Sequence, residues 1–290
     1  MKHYDIDSLE NRDPRAIARI FAVAEPIFRW YFRPDIQGLE NIPRGAGLYV
    51  GNHNSGALAP DMFIFAMAVH RVRGIEHMPY ALAHEVTIRI PLIHQLIVPL
   101  GAVRASHDAA HRVLAAGSKV LVYPGGDIDA FRPFRDRNRV VFGARRGYIK
   151  LALRENVPII PVVAEGAHST LIVLHDGRWL ARTLRIDRLF RYQVFPVTLS
   201  VPWGLTIGMP LPHFPLPVRI RIRVLEPIYL DRHGEAAADD RDYVEHCHCL
   251  VHSRMESTLQ SLAQDRRAAG SPRREPQRSG SIGERPGFSG

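Results

Sequence analysis

Val50-Gly51-Asn52-His53-Asn54-Ser55-Gly56, followed by Ala57-Leu58-Ala59-Pro60-Asp61, joins an apolar run to a polar loop and then to a second apolar run. Gly47 to Gly51 reads as a short strand, and Pro60 to about Val69 as a helix. A histidine just past a strand sits at the carboxyl end of the sheet, where α/β folds place their chemistry. An imidazole there takes a proton from an attacking hydroxyl near neutral pH if a carboxylate fixes its tautomer. Asp61 is the only acidic residue between Glu40 and Glu76, so it is the only local partner for His53. A plainer reading uses the same residues: a loop histidine, and an acid that stabilises a helix N-terminus. Both stay open on spacing alone.

Outward from this loop, strand-like segments recur at Met78 to Ala83, Ile97 to Val103, Lys119 to Tyr123 and Pro158 to Ala164. Helical segments fall between them, at Asp108 to Ala116 and Gly143 to Glu155. That alternation predicts an α/β fold with a largely parallel sheet flanked by helices. Arg219 to Val224 alternates arginine with Ile and Val, which predicts a strand with one buried and one solvated basic face. Ahead of the sheet, residues 1–35 read as an N-terminal amphipathic helical segment. Asp13 caps it, Pro14 opens it, and Ile17, Ile20, Phe21, Ala24 and Phe28 form its stripe. Pro26 is expected to kink or break that helix. It lies either on anionic lipid or against the main domain. Residues 36–265 form the α/β domain, closed by a helix from about Asp240 to Ala263. Residues 266–290, rich in Pro, Gly, Ser and Arg, are expected to be a disordered tail.

Three later segments bear on the chemistry. Leu100-Gly101-Ala102-Val103-Arg104 puts an arginine beyond an apolar strand. Lys119 to Val122 runs into the turn Tyr123-Pro124-Gly125-Gly126-Asp127. Asn156-Val157-Pro158-Ile159-Ile160-Pro161-Val162-Val163 is a strand with proline at both ends of its apolar core. With the His53 loop, these segments resemble, in order, the blocks of the glycerolipid and lysophospholipid acyltransferase superfamily. The resemblance covers roughly residues 40–230 and is nearest to the branch grouped with monoacylglycerol and diacylglycerol acyltransferases, actinobacterial members included. It implies an O-acyltransferase that moves a fatty acyl group from a thioester, carried by CoA or an acyl-carrier protein, to a lipid hydroxyl. His53 would be the general base and Asp61 its partner. Arg104 would bind a phosphate of donor or acceptor, and main-chain N–H groups around Gly125 and Gly126 would face the oxyanion. No metal or resident cofactor is implied.

Two departures from the family pattern stand out. The usual spacing is His-x4-Asp, whereas position 58 is Leu58 and the acid comes three residues later. Where relatives that use glycerol phosphate carry Phe-Pro-Glu-Gly, this chain has Tyr123-Pro124-Gly125-Gly126. The missing glutamate favours a neutral acceptor. Two other readings remain: a lipid-binding protein without catalysis, supported by the stretched spacing, and a thioesterase or esterase, disfavoured because no G-x-S-x-G turn is present.

Composition narrows the partners. The 290 residues carry a formal charge of +9, and only Lys2, Lys119 and Lys150 among the 38 basic residues are lysines. Arginine's planar fork suits phosphate in a nucleotide, a phospholipid headgroup or nucleic acid, so charge alone implies an anionic partner. With the amphipathic helix and the family resemblance, an anionic membrane surface is the expected one. No basic stripe interleaved with stacking aromatics appears, and nucleic acid is not expected. The longest apolar run, Met62 to Val69, falls well short of the roughly 18 residues of a spanning helix. The opening residues lack a signal peptide's apolar stretch. The expected location is cytoplasmic, peripheral on the inner face of the cell membrane. Glu245-His246-Cys247-His248-Cys249 with His252 is read as a solvated helix face rather than a metal cluster. His168 either lines the pocket or supports the structure.

Overall fold

The computed structural model describes residues 4–56, 60–185, 192–208 and 213–270. Ten strands are present among them: β1 (Asp35–Gln37), β2 (Gly47–Gly51), β3 (Tyr80–Ala83), β4 (Ala102–Arg104), β5 (Lys119–Val122), β6 (Ile159–Glu165), β7 (Ile172–His175), β8 (Val197–Ser200), β9 (Gly204–Ile207) and β10 (Arg221–Val224). The helices are α1 (Pro14–Phe32), α2 (Pro60–Arg73), α3 (Glu85–Arg89), α4 (Pro91–Ile97), α5 (His107–Ala115), α6 (Gly126–Ala130), α7 (Gly147–Arg154), α8 (Arg178–Thr183), α9 (Glu235–Asp239) and α10 (Arg241–Gly270).

Seven strands form one sheet in the order β1-β10-β6-β2-β5-β3-β4. From β6 to β4 every pairing is parallel, and β10 runs antiparallel to β6. The predicted largely parallel α/β sheet is therefore the observed one. β2 lies at its centre, and all five of its residues are buried. Continuous apolar strands such as β2 and β6 fit a sheet covered on both faces. On one face Leu48, Val50 and Val163 pack with α7 and α10. On the other, Tyr49, Leu121 and Ile160 pack with α1 and α2.

Several expectations need correction. Ile97 to Val103 is not one strand: α4 ends at Ile97, a turn follows, and only Ala102–Arg104 pairs. Helix α1 runs unbroken through Pro26, which lies on its exposed side, so the carbonyl that loses its partner meets water. Ile17 and Phe21 meanwhile pack on α2 and the sheet. The final helix continues to Gly270 because Arg266 reaches back to Glu165 at 2.9 Å, and Leu262 and Ala263 are buried. Residues 271–290 of the expected tail lie outside the described residues.

The arginines of β10 are half-buried rather than solvated. Arg221 donates to the Leu262 carbonyl of α10 at 3.3 Å. Part of the cluster on α10 is packed too: His248 meets the Tyr148 hydroxyl at 2.9 Å, His252 meets the Val140 carbonyl at 3.0 Å, and Cys247 is buried, whereas His246 and Cys249 are exposed as expected. No cluster of metal-ligating side chains occurs among the described residues. An antiparallel sheet, β7-β8-β9, was not foreseen.

Candidate active site

β2 delivers Asn52, His53 and Asn54 to the carboxyl end of the parallel strands. Asn52 fixes the loop against β6: its side chain donates to the Ala164 carbonyl at 3.0 Å and accepts from the Ala164 N–H at 2.9 Å. Those bonds replace the strand pairing that stops there, and they aim the next residue outward. Gly51 is required just before, because a Cβ there would strike the ring of Tyr123.

The peptide of His53 is gripped from both sides by a buried ion pair that the sequence did not announce. Asp129 accepts the His53 N–H at 2.6 Å, and Arg132 donates to the His53 carbonyl at 2.6 Å. Arg132 also bonds Asp129 at 2.9 Å and the Asn54 side-chain carbonyl at 2.9 Å. Both charged groups are essentially inaccessible to water. Burial lowers the Arg132 pKa from its usual range and raises that of Asp129 to about 6, while their mutual attraction opposes both shifts. His168 supports the same loop. It receives the Ser55 N–H weakly at 3.5 Å and bonds the Arg132 carbonyl at 2.8 Å, so its role is structural.

Asp61 sits in the first turn of α2, 3% exposed. Its Oδ2 accepts from Asn54 at 2.8 Å, while its Oδ1 has no partner. His53 Nδ1 is likewise buried without a partner. The two groups are not hydrogen-bonded to each other, and the connecting residues 57–59 lie outside the described ones. Dry surroundings shift both pKa values: His53 falls to about 4 and Asp61 rises to about 6, burial being the main cause in each case. At neutral pH the imidazole is therefore uncharged, and it stays a weak base until a carboxylate pairs with it and raises its pKa.

His53 opens onto a cavity of about 500 Å³. Apolar side chains from α1, α2, β3 and the β5 turn line most of it, among them Phe21, Phe63, Leu82, Leu121 and Phe131. The volume falls within the range of small-ligand sites. Polar groups are few among the described residues: Tyr123, whose ring lies 4.7 Å from that of His53, then His84, Thr87, Asp127, Arg145 and Tyr192.

The glycine turn contributes differently from expectation. The Gly126 N–H donates to the Tyr123 carbonyl at 3.0 Å, so it closes the turn instead of pointing at a reacting oxygen. A Cβ on Gly125 would collide with Asp129 and the Val141 carbonyl. The glutamate of the Phe-Pro-Glu-Gly pattern is thus excluded by the close approach of Asp129. Arg104, the expected phosphate ligand, is not on the cavity wall. It forms a two-pronged pair with Asp7, at 2.9 and 2.5 Å, and lies 3.9 Å from Glu85. Among the described residues the arginine that reaches the cavity is Arg145, which donates to the Gly125 carbonyl at 2.9 Å and to Asp127 at 2.8 Å. Its sequence neighbourhood, Ala144-Arg145-Arg146, gave no reason to choose it. For Asp129 and Arg132, the i, i+3 acid–base spacing after the glycine turn was the available signal.

The profile of the Acyltransferase family matches residues 33–165, the segment that holds β1 to β6 and both halves of the site. An uncharacterized protein of Mycobacterium tuberculosis is 32% identical over 251 residues, which cover 85% of this chain and 67% of that protein. A mouse protein named DGAT1/2-independent enzyme synthesizing storage lipids is 26% identical over 184 residues, covering 62% of this chain and 53% of its own length. The crystal structure of the 1-acyl-sn-glycerophosphate acyltransferase PlsC from Thermotoga maritima aligns with a TM-score of 0.49 and 17% identity, over 84% of this chain and 79% of that one. From the matched profile and the length of the mycobacterial match, the chain belongs to the glycerolipid acyltransferase superfamily.

Proposed function

We propose that this protein transfers a fatty acyl group from a thioester, on CoA or a carrier protein, directly to a lipid hydroxyl, with His53 as general base. One observation carries the reading. An uncharged imidazole faces an apolar cavity of about 500 Å³, and its buried Nδ1 lacks a hydrogen-bond partner, as does Asp61 Oδ1. An N–H and a carboxylate oxygen are complementary, and buried polar atoms left unpaired are costly. Their pairing with each other is the step that readies the base.

In that state the ring nitrogen Nε2 takes the proton of the acceptor hydroxyl as its oxygen attacks the thioester carbonyl. The Asp61 carboxylate stabilises the imidazolium that results. The tetrahedral intermediate then expels the thiolate, which leaves as thiol with the proton from His53. The cavity holds the acyl chain and excludes the water that would hydrolyse the thioester.

Arg145 replaces Arg104 as the phosphate-facing candidate, because it is the arginine on the cavity wall. Its bonds to Gly125 and Asp127 already occupy part of its fork, and Asp127 opposes an anion nearby. Both facts support a neutral lipid alcohol as acceptor. The place of action is a membrane surface on the cytoplasmic side. No helix among the described residues is long and apolar enough to cross a bilayer.

The test offers labelled acyl-CoA together with glycerol, lysophospholipid, monoacylglycerol and glycolipid acceptors, with the products resolved by chromatography. Transfer should occur to a lipid hydroxyl, and His53→Ala and Asp61→Asn should each remove nearly all of it. The double mutant should be little worse than either single, since residues that act as a unit are non-additive. Full transfer by His53→Ala would end this reading.

A further inference from the structure

Two elements, one lining the cavity and one packed behind its wall, turn apolar faces outward. Phe21 of α1 lines the cavity, while on the exposed side of the same helix Val23, Ile27 and Trp30 are 67%, 57% and 79% exposed. The sheet β7-β8-β9 repeats the pattern. Val173 on its inner face packs with Ala130 and Phe131 of the cavity wall. On the same inner face the hydroxyls of Thr198 and Thr206 bond each other at 2.7 Å. The register pairs Leu199 with Leu205 and Val197 with Ile207, so the period of two gathers Leu199, Leu205 and Ile207 on the outer face. Leu205 and Ile207 are 63% and 64% exposed there.

The two elements are linked through residues 214 and 215. The Tyr31 hydroxyl at the end of α1 donates to the Pro215 carbonyl at 2.7 Å. Phe214, next to it, bridges to Val201 of the small sheet and is exposed, as is Trp203 in the turn between β8 and β9. Beside Trp30, the side chains of Arg29, Arg33 and Arg219 line an open hollow of about 370 Å³. Among the described residues only Arg219 of these three has an ion pair, with Asp35 at 3.3 Å.

The geometry points to a two-part docking surface for an anionic lipid bilayer, formed by the outer face of α1 and the outer face of β7-β8-β9, with Arg29, Arg33 and Arg219 against the headgroups. Exposed apolar side chains that include two tryptophans, with arginines beside one of them, match a phase that is apolar within and negatively charged at its boundary. A second copy of this chain fits worse, because a two-fold contact is made by the same patch on both partners and would bring the arginine hollow against its own copy. The inference rests on the lipid-acyltransferase reading only in its choice of a lipid partner.

The test uses the full chain in two single-tryptophan forms, made by Trp→Phe changes so that only Trp30 or only Trp203 remains. Each is mixed with phosphatidylcholine vesicles that contain brominated acyl chains, with or without about 30 mol% phosphatidylglycerol. Both emissions should shift to the blue and be quenched on the anionic vesicles. Arg29→Ala/Arg33→Ala should partition at least tenfold more weakly on anionic vesicles and like wild type on neutral ones. An unquenched Trp203 beside a quenched Trp30 would remove the small sheet from the surface. Quenching of neither, or a blue shift of Trp203 that follows protein concentration without lipid, would overturn the proposal. Wild-type protein that binds vesicles but transfers no acyl group would overturn the functional reading and leave the docking surface standing. The opposite pattern, transfer to micellar acceptors without vesicle binding, would do the reverse.

Discussion

Two histidines in this molecule share an unusual titration and differ in everything else. His53, after β2, and His248, on α10, both have pKa values lowered to about 4, chiefly by burial. Both contact an aromatic ring: Tyr123 for His53, and Phe142 and Tyr148 for His248. The His248 Nδ1, however, is bonded to the Tyr148 hydroxyl at 2.9 Å, and His252 beside it is bonded to a carbonyl. The His53 Nδ1 is unpartnered, and its ring faces the cavity. A lowered pKa therefore marks burial, and only an unmet hydrogen bond beside an open volume marks a group kept available for chemistry.

The largest expected effect separates the two directly. His53→Ala should lower kcat/KM for acyl transfer by about 10²- to 10⁴-fold, the usual worth of a positioned base. His248→Phe should leave transfer within a few-fold and change only the melting temperature. Comparable losses from both substitutions would erase the distinction.

Arg132 tests whether the His53 side owes its geometry to the buried pair. Arg132→Met should cost about 3–5 kcal/mol in denaturant unfolding, because Asp129 is left buried without its partner. Asp129→Leu/Arg132→Met should recover much of that stability. It should not recover activity, since the N–H and carbonyl of His53 would still lack their partners. Restored transfer in the double variant would reduce the pair to a packing device.

Asp61 sharpens the comparison through pH. Its pKa is raised from 3.8 to about 6 in the folded chain. The native state thus binds more protons than the unfolded one between those values, and stability falls as pH rises through that window. Above pH 6 the full cost of the buried carboxylate is present. Asp61→Asn should therefore stabilise the fold at pH 8 by on the order of 2–3 kcal/mol, and by almost nothing at pH 4. Transfer should be nearly abolished at the same time. Melting curves of both proteins at the two pH values check this, and an equal difference at both would mean that Asp61 is not held dry.

The smallest effect concerns the acceptor. With one acyl donor, kcat/KM should favour monoacylglycerol over lysophosphatidic acid. A ratio of ten or more in favour of the phosphate, about 1.4 kcal/mol, would mean that Arg145 is free to bind it despite Asp127. Gly125→Glu is not a useful way to restore phosphate recognition. The new side chain would enter the space of Asp129 and release the grip on His53.

The sequence by itself determined the central sheet. β2, β5 and β6 are short, apolar and bounded by Gly, Pro or polar residues, so their pattern permits little else, and the motifs at their carboxyl ends come with them. It also placed His53 at the carboxyl end of that sheet, because a residue directly after a central strand has nowhere else to go. It did not reveal Arg104 as the partner of Asp7, Arg145 as its substitute, or His248 and His252 of α10 as packed. Each of those depends on a contact between residues 18 to 112 positions apart, which no local period encodes. Asp129 and Arg132 are the clearest case. Nothing local announces their burial, and only the fold, by packing α6 and the residues after it around the His53 peptide, made burying them worth the desolvation of both.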